Sequence, residues 1–121
     1  MDFSTEHLRP IYFQWLSLSH EADNAARQCS SDFEKRLLSS TALHYAVAAF
    51  DLQNICKIPS QNEEIPIALY RNFVNRAEAA KQRLLSEKND YDRRGWQTRF
   101  NDYTSITVCL AQELKRWKVL S

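Results

Sequence analysis

Glycine and proline are scarce in this chain. The 121 residues include one glycine, Gly95, and three prolines, at positions 10, 59 and 66. Sheets and turn-rich folds use glycine where the backbone needs a positive φ, and this chain has almost none to supply. The composition therefore excludes most turn-rich architectures. It favours long helices joined by few connections, and we predict an all-α fold.

Long apolar runs and export signals are also missing. No apolar run approaches the roughly 20 residues of a membrane span. The opening segment MDFSTEHLRP lacks the basic and apolar regions of a secretory signal. The cysteines Cys29, Cys56 and Cys109 are odd in number and widely spaced, which is typical of free thiols rather than a disulfide framework. We predict a cytoplasmic protein that makes no membrane contact.

Sequence motifs for metals, cofactors and nucleotide phosphates are absent. The chain contains no CxxC, no HxxxH and no Glu-x-x-His, and its single glycine rules out a glycine-rich phosphate loop. The three histidines, His7, His20 and His44, lie far apart in sequence. We therefore predict no metal site, no small-molecule cofactor and no catalytic residues.

Apolar periodicity predicts four helices, at about residues 10–29, 32–57, 66–88 and 92–118. Ser31 and Glu34 form a capping-box pattern at the start of the second helix, and Pro10 suits the first position of the first. The apolar positions of the first helix follow a heptad series: Leu8, Ile11, Trp15, Leu18, Ala22, Ala25 and Cys29. We predict one domain over residues 1–121, an antiparallel four-helix bundle built from two helical hairpins.

The first two helices carry more apolar side chains than one packing face can use. The surplus residues point away from the predicted core and are Phe13, Leu16, Leu43, Val47 and Phe50. One interpretation places helix 2 at the centre of the bundle, with neighbours covering both of its faces. The other leaves an exposed patch for a partner or a second copy. We predict partner binding or self-association through these five residues.

Charge is distributed unevenly along the chain. Residues 1–64 contain five Lys/Arg and nine Asp/Glu, whereas residues 65–121 contain eleven and six, for a total of +1. An acidic hairpin packing beside a basic one would explain this division, and so would a basic surface that contacts nucleic acid backbone. The candidate contacts around the turn between helices 3 and 4 are Arg76, Arg83, Lys88, Arg93, Arg94 and Arg99. The moderate overall charge suits an accessory subunit of a nucleoprotein assembly.

His44 is the single candidate for catalysis, with Arg36 two turns before it and Asp51 two turns after. Small helical ribonucleases of the HEPN group also carry an arginine and a histidine on one helix. Here seven residues separate the two, and Leu37 stands where that group has a polar residue. Because the chain shares the arginine and the histidine with this group but differs from it at these two points, a ribonuclease-like enzyme centred on His44 is our second alternative.

The main functional prediction is a small non-catalytic helical subunit or adaptor, which acts by protein–protein contact within a larger complex. The first alternative is the accessory nucleic-acid-binding subunit.

Overall fold

The computed structural model describes residues 2–121, which fold as two antiparallel helical hairpins. Helices α1 and α2 form the first hairpin, helices α3 and α4 form the second, and the described residues include no strand. The predicted all-α four-helix bundle is confirmed. The helices are α1, Arg9–Gln28; α2, Asp32–Cys56; α3, Glu64–Ser86; and α4, Asp90–Arg116.

Side-chain caps fix the starts of α2 and α4. Ser31 Oγ accepts from the Glu34 backbone N–H at 3.3 Å, as the capping-box pattern predicted for α2. Helix α3 begins two residues before the predicted position; its N-cap residue, Glu63, makes no side-chain cap bond, and the preceding Asn62 side chain accepts from the Glu64 N–H. Helix α4 also begins two residues early, since Asn89 caps it by accepting from the Asp92 N–H at 3.1 Å.

Helix α4 ends in a Schellman motif two residues before the predicted end. Lys118 adopts a left-handed conformation, with φ at 62°. The N–H of Lys118 then donates to the Lys115 carbonyl, and the N–H of Val119 donates to the Leu114 carbonyl at 2.8 Å. These bonds satisfy carbonyls that the helix end would otherwise leave free. Glycine usually occupies this left-handed position at the end of a helix. Because lysine occupies it here, the composition did not indicate where α4 ends.

The core lies where the two hairpins face each other. Trp15 of α1 meets Phe73 of α3 edge to face, with ring centroids 5.7 Å apart. Helix α2 packs against α1 within its own hairpin and against α4 across the interface. The largest fully buried side chains of the four helices are Trp15, Leu52, Pro66, Phe73, Ile106, Leu110 and Leu114. Each helix contributes to this set, so the two hairpins share one hydrophobic core.

Beyond Trp15 the heptad prediction for α1 is right at Ala22, which is buried, and wrong at Leu18 and Ala25. Ser19 and Ala26 are buried, whereas Leu18 is half-buried and Ala25 is exposed. A straight α-helix turns every 3.6 residues, so its inner face drifts away from a strict seven-residue repeat. The buried Ser19 is compatible with the core because its Oγ donates to the Ala42 carbonyl at 2.7 Å. This bond also ties α1 to α2.

A short 3-10 turn, Thr5–Leu8, precedes α1 and was not predicted. Thr5 is fully buried. Its N–H donates to the Ser60 carbonyl at 2.8 Å, and its Oγ1 accepts from the Ser60 N–H at 3.0 Å. The turn therefore anchors the connection between α2 and α3. None of the helices within residues 2–121 has the length and apolarity required to cross a bilayer.

Ion pairs join the acidic hairpin to the basic one. Arg94 of α4 contacts Glu34 of α2 at 2.9 Å, and Arg76 of α3 contacts Asp51 of α2 at 3.2 Å. In both pairs the arginine comes from the basic hairpin and the carboxylate from the acidic one, as the division of charge along the chain predicts. Part of the basic excess therefore has a structural role.

Candidate functional sites

The five surplus apolar residues lie on the outer face of the α1–α2 hairpin. We call Phe13, Leu16, Leu43, Val47 and Phe50 the apolar patch. Phe13, Leu43 and Phe50 are 59%, 61% and 61% exposed, Val47 is 37% exposed, and Leu16 is half-buried. Helix α2 is central, as one interpretation held, since it packs on both α1 and α4. Its outer face nevertheless has no covering element among the described residues.

A pocket lies between Phe13 and Phe50 at one end of the apolar patch. Its volume is about 450 Å³, within the range of ligand-binding clefts. Its charged residues are Arg9 and Lys57, and no acidic side chain lines it among the described residues. The remaining lining residues are Tyr12, Gln53, Asn54 and Cys56. The pocket therefore combines an aromatic floor with a basic rim.

Three of the predicted basic residues converge in a groove between α3 and α4. Arg76, Arg83 and Arg99 line it together with Trp96, and the Arg83 guanidinium lies 5.0 Å from the centre of the Trp96 ring. The other lining residues are Asn72, Asn75, Ala79 and Ala80. No carboxylate lines this groove in the described part of the chain. We call it the arginine groove.

The other three predicted cations do not join this groove. Lys88 and Arg93 are exposed near the turn between α3 and α4. Arg94 points toward α2 instead, where it pairs with Glu34 and lies 4.7 Å from the centre of the Phe33 ring. The six residues thus form no single edge, because successive positions on α4 face different sides of the helix.

His44 lies in a buried polar cluster between α2 and α4. Its Nδ1 donates to Asp102 Oδ2 at 2.8 Å, and the same oxygen accepts from Thr41 Oγ1 at 2.8 Å. A carboxylate can only accept, so Nδ1 carries a proton in this bond. The expected carboxylate, Asp51, instead faces Arg76. Asp102 was missed because it is 58 residues from His44 in sequence.

The His44 ring lines a cleft of about 320 Å³, which we call the α2–α4 cleft. The Nε2 atom makes no protein hydrogen bond within residues 2–121, yet it is not sealed from solvent. Arg36 and Arg99 line the cleft from the two helices, and Arg99 also lines the arginine groove. The other lining residues are Phe33, Leu37, Ser40, Tyr91, Asp92, Gly95 and Trp96.

Two of the cysteines, Cys56 and Cys109, are poor nucleophiles in this fold. Burial raises the pKa of the Cys56 thiol to about 11, and its Sγ–H donates to the Thr5 carbonyl at 3.2 Å. Burial also raises the pKa of Cys109. Both side chains therefore stay protonated at neutral pH, and the thiolate is the reactive form. In residues 2–121, no three His, Cys, Asp or Glu side chains are grouped as a metal ion would require.

Comparison with models of protein families, with curated proteins and with solved structures finds no match to this chain, so its function has to be inferred from these surfaces.

Proposed function

We propose that this protein is a non-catalytic helical subunit that acts by binding another protein through the apolar patch. The supporting observation is that four large apolar side chains stand 37% to 61% exposed on one hairpin face. Exposed apolar side chains grouped in this way are characteristic of protein-binding surfaces. Aromatic residues such as Phe13 and Phe50 are also enriched where interfaces are most deeply buried.

The surroundings of the patch indicate the chemistry of its partner. Arg9 and Lys57 rim the pocket between Phe13 and Phe50, and no carboxylate balances them in the pocket lining described. Like charges placed face to face across an interface are unfavourable, and opposite charges are favourable. The partner we propose is an amphipathic helix of another protein, with a large apolar side chain for the pocket and acidic residues beside it.

Two synthetic helical peptides test this partner chemistry. Both carry the same apolar stripe, and one has glutamate flanks whereas the other has lysine flanks. We expect the acidic peptide to bind more tightly than the basic one. Phe50→Asp should weaken the binding of the acidic peptide about tenfold or more, since a buried charge at an interface centre is costly. Lys57→Glu should remove most of the preference between the peptides, since it leaves one cation and one anion in the pocket lining. Titration calorimetry measures all these affinities.

Leu85→Asp is the matched control, because Leu85 of α3 is 70% exposed and does not line the pocket. Its affinity for the acidic peptide should equal that of the unmodified protein. Equal binding of both peptides, or of neither, would overturn the proposed partner. Light scattering that shows a dimer, which Phe50→Asp converts to a monomer, would make a second copy the occupant instead. RNA cleavage that is lost in His44→Ala would contradict the non-catalytic role.

A second candidate function is contact with nucleic acid backbone through the arginine groove. It is favoured by Arg83 and Arg99, which line the groove with Trp96 and form no ion pair among residues 2–121, whereas the third arginine, Arg76, pairs with Asp51. Guanidinium groups bind phosphates, and an aromatic ring adjacent to them stacks on unpaired bases. A single strand fits this combination better than a duplex, whose bases are already stacked.

Charge reversal tests the arginine groove separately from the patch. In Arg83→Glu, we expect weaker binding to single-stranded RNA and a salt dependence reduced by about 0.7 in log–log slope for each lost phosphate contact. Lys81→Glu makes an equal charge change at an exposed α3 position outside the groove. Fluorescence anisotropy at several salt concentrations measures both variants. An equal loss in the two would show a general charge effect and contradict a groove site.

A further inference from the structure

The α2–α4 cleft presents three groups that favour an anion. Arg36 and Arg99 line it from α2 and α4, and His44 lines it with an Nε2 that makes no protein hydrogen bond within residues 2–121. A guanidinium binds two oxygens of a phosphate at once, through parallel N–H groups. The imidazole, oriented by its bond to Asp102, offers either a lone pair or, when protonated, a further N–H donor.

Tyr91 adds a hydrogen-bond donor that is already oriented. Its hydroxyl oxygen accepts from Arg36 Nη1 at 2.6 Å. The oxygen is therefore occupied as an acceptor, and the hydroxyl hydrogen remains for donation to a ligand. Ser40 lines the same cleft and carries a second hydroxyl. These groups match the several acceptor oxygens of a phosphate ester.

Three aromatic side chains, Phe33, Tyr91 and Trp96, also line the cleft, together with Leu37 and Gly95. Phe33 and Tyr91 pack against each other with ring centroids 4.5 Å apart. Trp96 carries the Arg83 guanidinium over its ring in the arginine groove and also lines the cleft. Aromatic rings of this kind stack on nucleobases. The volume of about 320 Å³ lies at the lower end of the range for small-ligand sites.

We propose that the α2–α4 cleft binds a nucleoside monophosphate, with its phosphate on Arg36, Arg99 and His44 and its base against the aromatic side chains. Two carboxylates near the cleft offset part of the positive charge that would bind the phosphate. Asp92 lines the cleft, and Asp102 lies behind His44 but accepts from both Thr41 and His44. The two arginines that line the cleft, Arg36 and Arg99, therefore outnumber Asp92, the one acidic residue in the lining described. This proposal is independent of the apolar patch, which lies on the outer face of the α1–α2 hairpin.

Calorimetric titration of the full chain with adenosine 5′-monophosphate, inorganic phosphate and adenosine tests the two parts of the site. We expect the monophosphate to bind more tightly than either fragment, because it engages the cations and the aromatic rings together. Arg36→Gln should weaken monophosphate binding about tenfold or more, since it removes a charged hydrogen bond to the ligand. The His44 ring resonances in an NMR spectrum should shift on addition of monophosphate or phosphate.

Arg27→Gln is the matched control, because Arg27 is a largely exposed α1 side chain outside the cleft that pairs only with Asp23. It should leave both the affinity and the His44 shift unchanged. The proposal fails if the monophosphate leaves His44 unshifted at millimolar concentration. It also fails if Arg27→Gln weakens binding as much as Arg36→Gln does. Adenosine binding as tightly as its monophosphate would show that the cations make no contribution.

Discussion

Phe73→Ala is expected to lower the free energy of unfolding by about 3–5 kcal/mol, the typical cost of removing a fully buried phenylalanine. Phe73 is 0% exposed and meets Trp15 edge to face across the boundary between the hairpins. Its other ring neighbour is Tyr103 of α4. The truncation therefore opens a cavity where three helices meet. Urea denaturation followed by circular dichroism measures the change.

The adjacent residue provides the control for this experiment. Val74 follows Phe73 on α3 and is 37% exposed. Val74→Ala should change the free energy of unfolding by no more than about 0.5 kcal/mol, as substitutions on a helix surface usually do. A similar loss in both variants would mean that α3 itself is destabilised. The interface between the hairpins would then not be the source of the stability.

Asp102→Ala is expected to lower the free energy of unfolding by about 2–3 kcal/mol, because it removes a charged acceptor from two donors. His44 is buried, and both its Nδ1–H and the Thr41 hydroxyl donate to Asp102 Oδ2. After truncation neither donor has its acceptor. Thermal and urea unfolding both report the loss, and the His44 ring resonances should change because its proton position is no longer fixed.

Two further variants separate this hydrogen-bond loss from a general effect on α4. Asp102→Asn keeps a carbonyl oxygen that can accept, so it should recover more than half of the lost stability. Asn101→Ala changes the preceding, exposed residue and should alter stability by no more than about 0.5 kcal/mol. If Asp102→Ala is as stable as Asn101→Ala, the polar cluster does not hold the hairpins together.

The helices were predictable because their signals are local. Apolar periodicity identified all four, and the Ser31–Glu34 pattern located the start of α2. The errors occurred where local signals compete or are missing. Lys118 takes a left-handed conformation that glycine would usually announce, and the drift of a straight helix buries Ala26 in place of Ala25. The 3-10 turn depends on Thr5 meeting Ser60, a contact between distant parts of the chain.

The candidate sites were less predictable because each combines residues from different helices. The sequence identified the apolar surplus, and it placed Arg76 and Arg83 on one flank of α3. It could not show that Arg99 from α4 would join them, nor that Asp102 rather than Asp51 would meet His44. Those pairings depend on the rotation of α4 about its own axis. That rotation is set by packing at Tyr103, Ile106 and Leu110, not by any spacing motif.

The hydrogen bond from Ser19 to the Ala42 carbonyl helps to hold the helices that carry the apolar patch in a fixed arrangement before a partner binds. Small side chains along the inner face of α1, with Ala42 and Ala49 opposite, bring the two helix backbones close together. Close-packed helices with a shared buried hydrogen bond have little freedom to slide. The backbones that carry Phe13 and Phe50, on different helices, therefore keep a fixed separation. A partner would meet a preorganised backbone, so the entropic penalty from ordering this side of the complex would come from the exposed side chains alone.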